Sequence, residues 1–446
     1  MKLYLSKTWD ALSTSFWFVP SAMVLFAIAL SSATLQLDTV GAAQTWAAKL
    51  GWTYLRGPEG SRAVLSAVVG SMMTIASVTF SITIVALQLA SSQFGPRLLR
   101  NFMRDRGNQF SIGTFISTFT YCLLILRSVN GTEKGEFVPH LSVTVGLSLS
   151  LLSLGVFIYF IHHSAESIQA ENVIAAVSRE LHRAIERLYP DRLGDDQPDD
   201  AAQPPKEDLP SDFEQGSVRI PSLTSDYLQA IDVERLMTLA KEHELVLSVN
   251  QRPGKFLFQG GKLVQAWPAV KVDEGIVNAI RGTFYFGSRR TLTQDVEFAI
   301  DQLVEVAVRA LSPGVNDPFT AINCVERLGA ALCRLSEKKI PSRFRYDDEG
   351  KLRVVTDRST AKGIVDDAFD QIRQAAWSDT AVTLRLLETI QAVGSHSRNP
   401  TFRSALRHQA DAIFRGSREG LRDSHDRKEA EQRHRETIRV LEGRDD

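Results

Sequence analysis

The sequence predicts a membrane α-helical protein with four transmembrane helices, followed by a cytoplasmic α+β domain with a small β-barrel-like unit and a helical bundle. Two observations predict this fold class, namely the uneven distribution of charge along the chain and the length of its uncharged stretches. The chain has 446 residues, of which 23% are charged. Nearly all of the long uncharged stretches lie before residue 162, and nearly all of the dense charge follows it. Since about 20 consecutive apolar residues form a helix that crosses the hydrocarbon core of a bilayer, each long uncharged stretch is a candidate span.

Four stretches reach this length, and together they define a transmembrane domain of residues 1–162. The predicted spans cover approximately residues 14–36, 63–92, 108–127 and 140–161. Helices buried in soluble proteins rarely stay uncharged over such lengths. A lipid bilayer is therefore the first predicted partner of the chain.

The loop between the second and third spans determines the predicted orientation. It carries Arg97, Arg100 and Arg104, and Lys and Arg in short loops favour the cytoplasmic side of a membrane. With an even number of spans, both termini are then cytoplasmic, which predicts a multi-pass protein of a bacterial inner (plasma) membrane. The three cysteines of the chain cannot all pair with one another, as expected in a reducing compartment.

The second span is rich in hydroxyl groups. On a helical wheel, about one third of its circumference carries six polar side chains, and Val78 and Val85 lie on the same face. The six residues, which we call the polar stripe, are Ser71, Thr74, Ser77, Ser81, Gln88 and Ser92.

Two interpretations of the polar stripe are open. Small and hydroxylated residues let transmembrane helices pack closely, in which case the stripe faces the other spans of the same subunit. Alternatively, copies of the second span surround a symmetry axis and the stripe lines a pore. A pore requires a homo-oligomer, because four spans can hardly enclose one alone. Arg97, Arg100 and Arg104 would then lie at its inner mouth and favour anions.

The rest of the chain divides into five predicted segments. Residues 163–190 form an amphipathic stalk helix, and residues 191–216 form an acidic, proline-rich linker. A small β-rich subdomain follows at 217–270, and a helical subdomain at 271–395. Residues 396–446 alternate in charge sign and are predicted to be a solvated helix or a disordered tail.

The segment RPGKFLFQGGKL, residues 252–263, is similar to the hairpins of small biotinyl-type half barrels. Carriers of that type modify a lysine at the hairpin tip. Lys255 follows the turn glycine without the usual flanking methionine. We therefore interpret this hairpin as scaffold.

Two motifs contain the candidate residues for an anion-binding or structural site, namely Arg289, Arg290, Asp295, Asn316 and Asp317. An arginine pair with Asp and Asn could bind an anionic group such as a phosphate. The structural alternative is that Arg290 pairs with Asp295 and that Asp317 caps the next helix. Thr291 and Gln294 fit a capping box for the predicted helix that precedes the one capped by Asp317.

Several functional classes are disfavoured. The sequence has no catalytic motif, no nucleotide-binding motif and no metal-ligand spacing. We therefore expect no catalytic residues, no metal, no cofactor and no enzymatic activity. The formal net charge of −1 gives no electrostatic argument for a nucleic-acid partner. No Asp, Glu, Lys or Arg interrupts the apolar segments, which argues against a proton-coupled transporter.

Three parts of the chain carry distinctive motifs, namely QLASSQFGPRLLRNF at the end of the second span, SDYLQAID with RPGKFLFQGG, and GSRRTLTQDVEFAIDQLVEVAVRALSPGVNDPFTA. These motifs resemble the domain-of-unknown-function 2254 family of predicted bacterial membrane proteins. The similarity extends from the first span to about residue 395. The resemblance implies four spans followed by this cytoplasmic domain, and it supplies no catalytic or ligand residues.

Two functions remain as expectations. The first is a homo-oligomeric ion-conducting channel, with the cytoplasmic domain as assembly platform or gate. The second is a non-conducting, membrane-anchored sensor or scaffold whose cytoplasmic domain binds a partner or a small anionic ligand. The direction of the polar stripe, toward a symmetry axis or toward the subunit's own spans, discriminates between them.

Overall fold

The computed structural model describes residues 17–40, 57–95, 105–132, 135–189 and 209–443. The chain forms two compact units. Unit 1 comprises Met1–Asn172, and unit 2 comprises Val173–Asp446.

The described residues of unit 1 include four helices that are long and apolar enough to cross a membrane, as the sequence predicts. They are α1 (Phe18–Thr39), α2 (Pro58–Phe94), α3 (Arg106–Ser128) and α4 (His140–Ser167). A short antiparallel hairpin, β1 (Asn130–Thr132) and β2 (Gly135–Phe137), joins α3 to α4. Helix α2 has 37 residues and extends beyond the predicted span at both ends.

Helix α3 is the centre of unit 1. In its most apolar window 56% of the residues are buried, whereas the share is 17–22% in the other three helices. Gly113 permits the close approach of α1, because a Cβ atom at this position would lie 2.5 Å from Met23 Sδ and 3.2 Å from Pro20 Cα. The buried residues Leu65 and Tyr121 belong to the apolar core that results.

Charged side chains bind the ends of the spans. Asp38, in the last turn of α1, accepts hydrogen bonds at 3.0 Å from the backbone N–H groups of Leu141 and Ser142, which begin α4. It also accepts one at 2.6 Å from the Ser142 hydroxyl. Arg62 of α2 donates two hydrogen bonds, of 3.1 and 2.7 Å, to the carbonyl oxygen of Val129, where α3 ends. These contacts satisfy backbone groups that have no partner within their own helix.

Asp105 has the corresponding role at the other end of α3. Its side chain accepts a hydrogen bond of 2.7 Å from the backbone N–H of Gly107, and its second oxygen lies 2.7 Å from Nε2 of His163 in α4. The His163 ring stacks on Tyr159. The start of α3 is thereby attached to the last turns of α4.

Helix α5 (Ala170–Leu188) follows α4 after Ile168 and Gln169, and all but its first three residues belong to unit 2. The predicted stalk is therefore two helices rather than one. On the side of α5 that the sequence predicts to be apolar, Val173, Val177 and Leu181 are buried. Of the predicted linker, residues 191–208 lie outside the described residues, and the short helix α6 (Phe213–Gly216) lies within the remainder.

The strands of unit 2 form two open sheets. A five-stranded sheet has the order β3-β7-β5-β10-β9, with β5 and β10 parallel and the other pairs antiparallel. A three-stranded antiparallel sheet has the order β6-β4-β8. The strands are β3 (Val218–Pro221), β4 (Asp226–Ile231), β5 (Val246–Val249), β6 (Phe256–Leu257), β7 (Lys262–Trp267), β8 (Phe284–Gly287), β9 (Phe344–Tyr346) and β10 (Leu352–Val355).

The predicted β-barrel-like unit is not confirmed, because the described strands close no barrel. Strands β8, β9 and β10 also come from the predicted helical segment 271–395. Helices α7 (Val233–Glu242) and α8 (Glu274–Arg281) complete this part of unit 2. Leu236 and Ile280 from these helices join Leu247, Val264 and Val354 from the five-stranded sheet in one apolar core.

The remaining helices form a bundle. They are α9 (Glu297–Ala310), α10 (Pro318–Ser336), α11 (Ala361–Ala375), α12 (Thr380–His396), α13 (Pro400–Gly420) and α14 (Ser424–Glu442). The structure differs here from the predicted solvated or disordered tail at 396–446. Helix α13 packs on α11, and α14 packs on α12. Phe402, Leu406 and Ala430 are fully buried, since a few apolar residues at helical spacing suffice to dock a highly charged helix.

Replacing Asp38 with Ala is expected to destabilise unit 1. The substitution leaves two backbone N–H groups at the start of α4 without their carboxylate, and lost capping costs about 1–2 kcal/mol. The measurement is the melting temperature of the purified protein in detergent micelles. Glu59→Ala is the matched control, because Glu59 is exposed in the first turn of α2. Equal melting temperatures for both variants would contradict a capping role for Asp38.

Candidate functional site

The polar stripe lies on the outer surface of unit 1. All six of its residues are exposed, and none faces the other described spans of the same chain. The opposite side of α2 carries Thr79 and Thr83, which are buried. The helix therefore uses one set of hydroxyl residues within the subunit and leaves the other set uncovered.

The hydroxyl groups of the stripe are hydrogen-bonded within α2. Ser71, Thr74, Ser77 and Ser81 each donate to the carbonyl oxygen four residues earlier, over distances of 2.8–3.1 Å. Ser92 donates to Leu89 at 2.9 Å. Each hydroxyl retains lone pairs that could accept a further hydrogen bond.

Gln88 is the exception in the stripe. Its side-chain amide has two N–H donors and a carbonyl acceptor, and in the described part of the chain it has no hydrogen-bond partner. An unpaired amide in hydrocarbon costs several kcal/mol. Gln88 therefore requires water, a headgroup or another polypeptide beside it.

Apolar residues share the exposed surface of α2. Val78 and Val85, which the sequence places on the stripe, are exposed, as are Phe80 and Ile84. Arg97, Arg100 and Arg104 lie outside the described residues. The basic inner mouth therefore stays a prediction.

The structure brings together two of the five candidate residues in unit 2. The Arg290 guanidinium donates to both carboxylate oxygens of Asp295, at 2.8 and 3.1 Å, and its third polar contact is with Asp301. It also lies 5.3 Å from the ring centroid of Phe298. Because buried Asp295 and the nearby Asp301 already engage this guanidinium, its geometry favours the structural explanation over binding of an external anion.

Asp295 also caps a helix. It accepts a hydrogen bond of 3.1 Å from the backbone N–H of Phe298, in the first turn of α9. The predicted capping box of Thr291 and Gln294 is wrong, because the Gln294 amide instead binds both backbone groups of Ile231 in β4, at 2.9 and 3.1 Å. Asp295, rather than Thr291, caps the start of α9.

The other three candidates are placed separately. Asp317 accepts hydrogen bonds from the backbone N–H and the hydroxyl of Thr320, at 3.1 and 2.6 Å, so it caps α10 as the structural alternative expects. Asn316, with a φ of 50°, adopts a left-handed conformation just before this cap. The Arg289 side chain is exposed, and its backbone carbonyl accepts a hydrogen bond of 2.7 Å from Gln229.

A second ion pair beside Arg290 was not foreseen from the sequence. Arg252 contacts both oxygens of buried Glu297, at 2.7 and 2.8 Å, and donates to the Ser359 hydroxyl at 2.7 Å. The sequence signal was present in α9, where Glu297 and Asp301 lie one turn apart in a helix that is mostly apolar.

Gly254 lies against the same cluster. Its φ is 94°, and a Cβ atom there would lie 2.2 Å from Asp295 Oδ2. Only glycine fits both the left-handed backbone and this close approach. The Pro-Gly turn of the predicted hairpin thus packs on the Arg290–Asp295 pair.

Burial shifts two carboxyl pKa values in this cluster. It raises the pKa of Asp295, although Arg290 opposes the shift. It also raises the pKa of Asp367, in α11, to about 6, and the nearby negative charges of Glu297 and Asp301 act in the same direction. Lys255 and Arg252 lower the Asp367 pKa by smaller amounts.

The described ranges contain no group of three or more His, Cys, Asp or Glu side chains able to hold a metal ion. A cavity of about 230 Å³ between α11, α12 and α13 is lined by Trp377, Leu386 and Ile413 and by Arg373. The Arg373 guanidinium is already paired with Asp370 at 2.8 Å.

Comparison with known proteins gives a consistent picture. A family model described as "Predicted membrane protein (DUF2254)" matches residues 13–392. The chain is 31% identical over 377 residues to an uncharacterized protein of Mycobacterium bovis, covering 83% of this chain and 70% of the relative. The same values apply to an uncharacterized protein of Mycobacterium tuberculosis. No solved structure matches the chain.

Arg290→Ala is expected to destabilise unit 2 by about 3 kcal/mol, because it leaves buried Asp295 without its positive partner. Amide hydrogen exchange in α9, measured on the full chain in micelles, would report the loss as faster exchange. Arg289→Ala is the matched control, since that neighbouring side chain is exposed. Unchanged exchange in the Arg290 variant would remove the structural explanation.

Asp367→Asn is expected to raise the melting temperature at pH 7.5. The pKa of Asp367 is higher in the folded protein, at about 6, than the ordinary value of about 3.9 in an unfolded chain. The free energy of unfolding therefore falls as the pH rises from about 4 to about 6. The asparagine variant cannot ionise at this position, so its free energy of unfolding does not fall for this reason.

The melting temperatures of wild type and variant should converge at pH 4, where the native carboxyl is protonated. Asp357→Asn, at an exposed position, should show no such pH-dependent difference. A constant offset between wild type and the Asp367 variant at every pH would contradict the titration.

Proposed function

This chain belongs to the DUF2254 family of predicted membrane proteins, and on that premise we propose that it is a homo-oligomeric ion channel lined by the polar stripe of α2. In this proposal the protein lies in a bacterial inner membrane with both termini in the cytoplasm. Unit 2 serves as the assembly platform or gate.

The observation that carries the proposal is the exposure of the whole stripe. Six polar residues on one face of an apolar helix are uncovered by the subunit's own described spans, while Thr79 and Thr83 on the other face are covered. If the stripe served packing within the subunit, the burial would be reversed. Assembly around an axis gives these residues water and a neighbouring copy of α2.

The Gln88 amide supports the same arrangement. Its donors and acceptor have no partner in the described residues, and a water-filled lumen supplies one at low cost. Hydroxyl lone pairs and an amide dipole can replace part of the hydration shell of an ion. The stripe itself is uncharged. In this proposal Arg97, Arg100 and Arg104, in the loop that follows α2, supply the preference for anions.

The alternative is a non-conducting, membrane-anchored sensor or scaffold. The hydrogen bonds of Ser71, Thr74, Ser77 and Ser81 within α2 favour it, because hydroxyls that donate to their own helix can face lipid or another helix without water. An anionic ligand in that case would need Arg289 or another exposed cation, since Arg290 is engaged by two carboxylates.

The channel proposal predicts that Ser77→Leu with Ser81→Leu abolishes ion flux into liposomes containing the purified protein. The two leucines make the middle of the lumen apolar, and a hydrophobic constriction stops ions by dewetting. Chloride and potassium fluxes are measured separately. The oligomer should remain assembled, as judged by cross-linking in the same membranes.

Phe80→Leu is the matched control, because Phe80 is exposed on α2 but lies off the stripe. Gln88→Glu gives a second readout, since a carboxylate in the lumen should shift the reversal potential toward cation selectivity. Absence of flux of either ion in the wild type, with the oligomer intact, would favour the scaffold instead.

A further inference from the structure

Two neighbouring loops of unit 2 form a tip, which we define as residues 222–226 and 255–261 and call the aromatic tip. Strands β4 and β6 hold it together by pairing Tyr227 with Phe256. The backbone N–H of Ser222 donates to Gly261 O, and the N–H of Gly260 donates to Ser222 O, both at 2.9 Å. Backbone hydrogen bonds therefore join the two loops of the tip.

Large apolar side chains of the tip are exposed. Leu223 is 61%, Phe256 42% and Phe258 71% exposed. Leu257, between the two phenylalanines, is buried in the core of unit 2. Because side chains alternate along an extended chain, burying Leu257 turns Phe256 and Phe258 outward together.

The aromatic rings form one cluster. The Phe256 ring contacts the rings of Tyr227 and Phe258 in edge-to-face arrangements, with centroids 5.1 and 5.2 Å apart. Scattered single apolar residues on a surface need no explanation, whereas a contiguous exposed group marks an interaction site.

Basic residues outnumber acidic ones on the tip and its strands. Lys255 belongs to the tip, Arg219 to β3 and Lys262 to β7, and Asp226 is the one carboxylate of the two loops. The Arg219 guanidinium donates to Gly260 O at 3.0 Å, which holds its charge at the tip. The tip and the strands that carry it therefore have an excess of positive charge.

We propose that the aromatic tip binds the surface of a bilayer that contains anionic lipids. Exposed Phe and Leu side chains bury their apolar surface at the boundary between headgroups and acyl chains. Lys and Arg side chains are attracted to a leaflet that contains anionic lipids. The spans of the same chain keep lipid at a high effective concentration, so weak contacts suffice.

This inference is independent of ion conduction. It depends on the chain being membrane-anchored and on the surface chemistry of the tip. A protein that conducts no ions would use the same contact to fix unit 2 at the membrane.

The test places a fluorescent bimane label at Gln259→Cys in the full chain, in a Cys333→Ser background where the two remaining cysteines are buried. Gln259 is exposed between Phe258 and Gly260, so the label leaves the apolar residues intact. The protein is placed in nanodiscs of phosphatidylcholine with or without phosphatidylglycerol. Lipids with a doxyl quencher near the headgroup report contact.

The expected result is quenching at position 259 in the anionic nanodiscs and weaker quenching without phosphatidylglycerol. A label at Val270→Cys, exposed by 93% and outside the tip, should not be quenched. Leu223→Ser with Phe258→Ser should abolish quenching at 259, whereas Leu223→Ile with Phe258→Trp should retain it. Circular dichroism of both double variants checks that the fold is unchanged.

Three outcomes would overturn the proposal. The first is a label at 259 that lipid does not quench and aqueous iodide does. The second is a disulfide between two copies of the unlabelled Gln259→Cys protein, together with no lipid quenching of the labelled protein, which would make the tip a protein contact. The third is equal quenching at 259 and 270.

Discussion

Hydrocarbon offers no water to a polypeptide backbone, and this constraint determines the structure of unit 1. Helices satisfy most of their N–H and C=O groups internally, but the first and last turns do not. Asp38, Arg62 and Asp105 bind backbone groups at these ends. Charge is therefore found where a span ends. Through these contacts α1 is joined to α4, α2 to α3 and α3 to α4.

Polar groups that are removed from water need partners, and this requirement also explains the charged cluster of unit 2. Arg290 and Arg252 are both engaged by carboxylates in positions with little solvent, and the pairing offsets the cost of removing these ions from water. The stripe of α2 shows the opposite pattern, because the Gln88 amide has no partner among the described residues.

The spans were predictable from the sequence because hydropathy over 20 residues is a local property. Contacts between distant parts of the chain were not. Strand β10 pairs with β5 across about a hundred residues, which no local pattern indicates, and so the open sheets replaced the predicted barrel-like unit. Gln294 has helix-capping chemistry, but its partner Ile231 lies 63 positions away in β4. The pairing of Arg290 with Asp295 was predictable, since five residues separate them, whereas Arg252 with Glu297 was not.

The length of α2 has a consequence for the membrane around the protein. At 1.5 Å per residue its 37 residues extend for about 55 Å, well beyond a hydrocarbon core of about 30 Å. A helix with such a surplus accommodates the bilayer by tilting or by projecting from it, and the tilt varies with the thickness of the lipid. The depth at which Gln88 sits is then a property of lipid and protein together. Acyl-chain length becomes a physical variable that acts on this one helix more than on its three shorter neighbours.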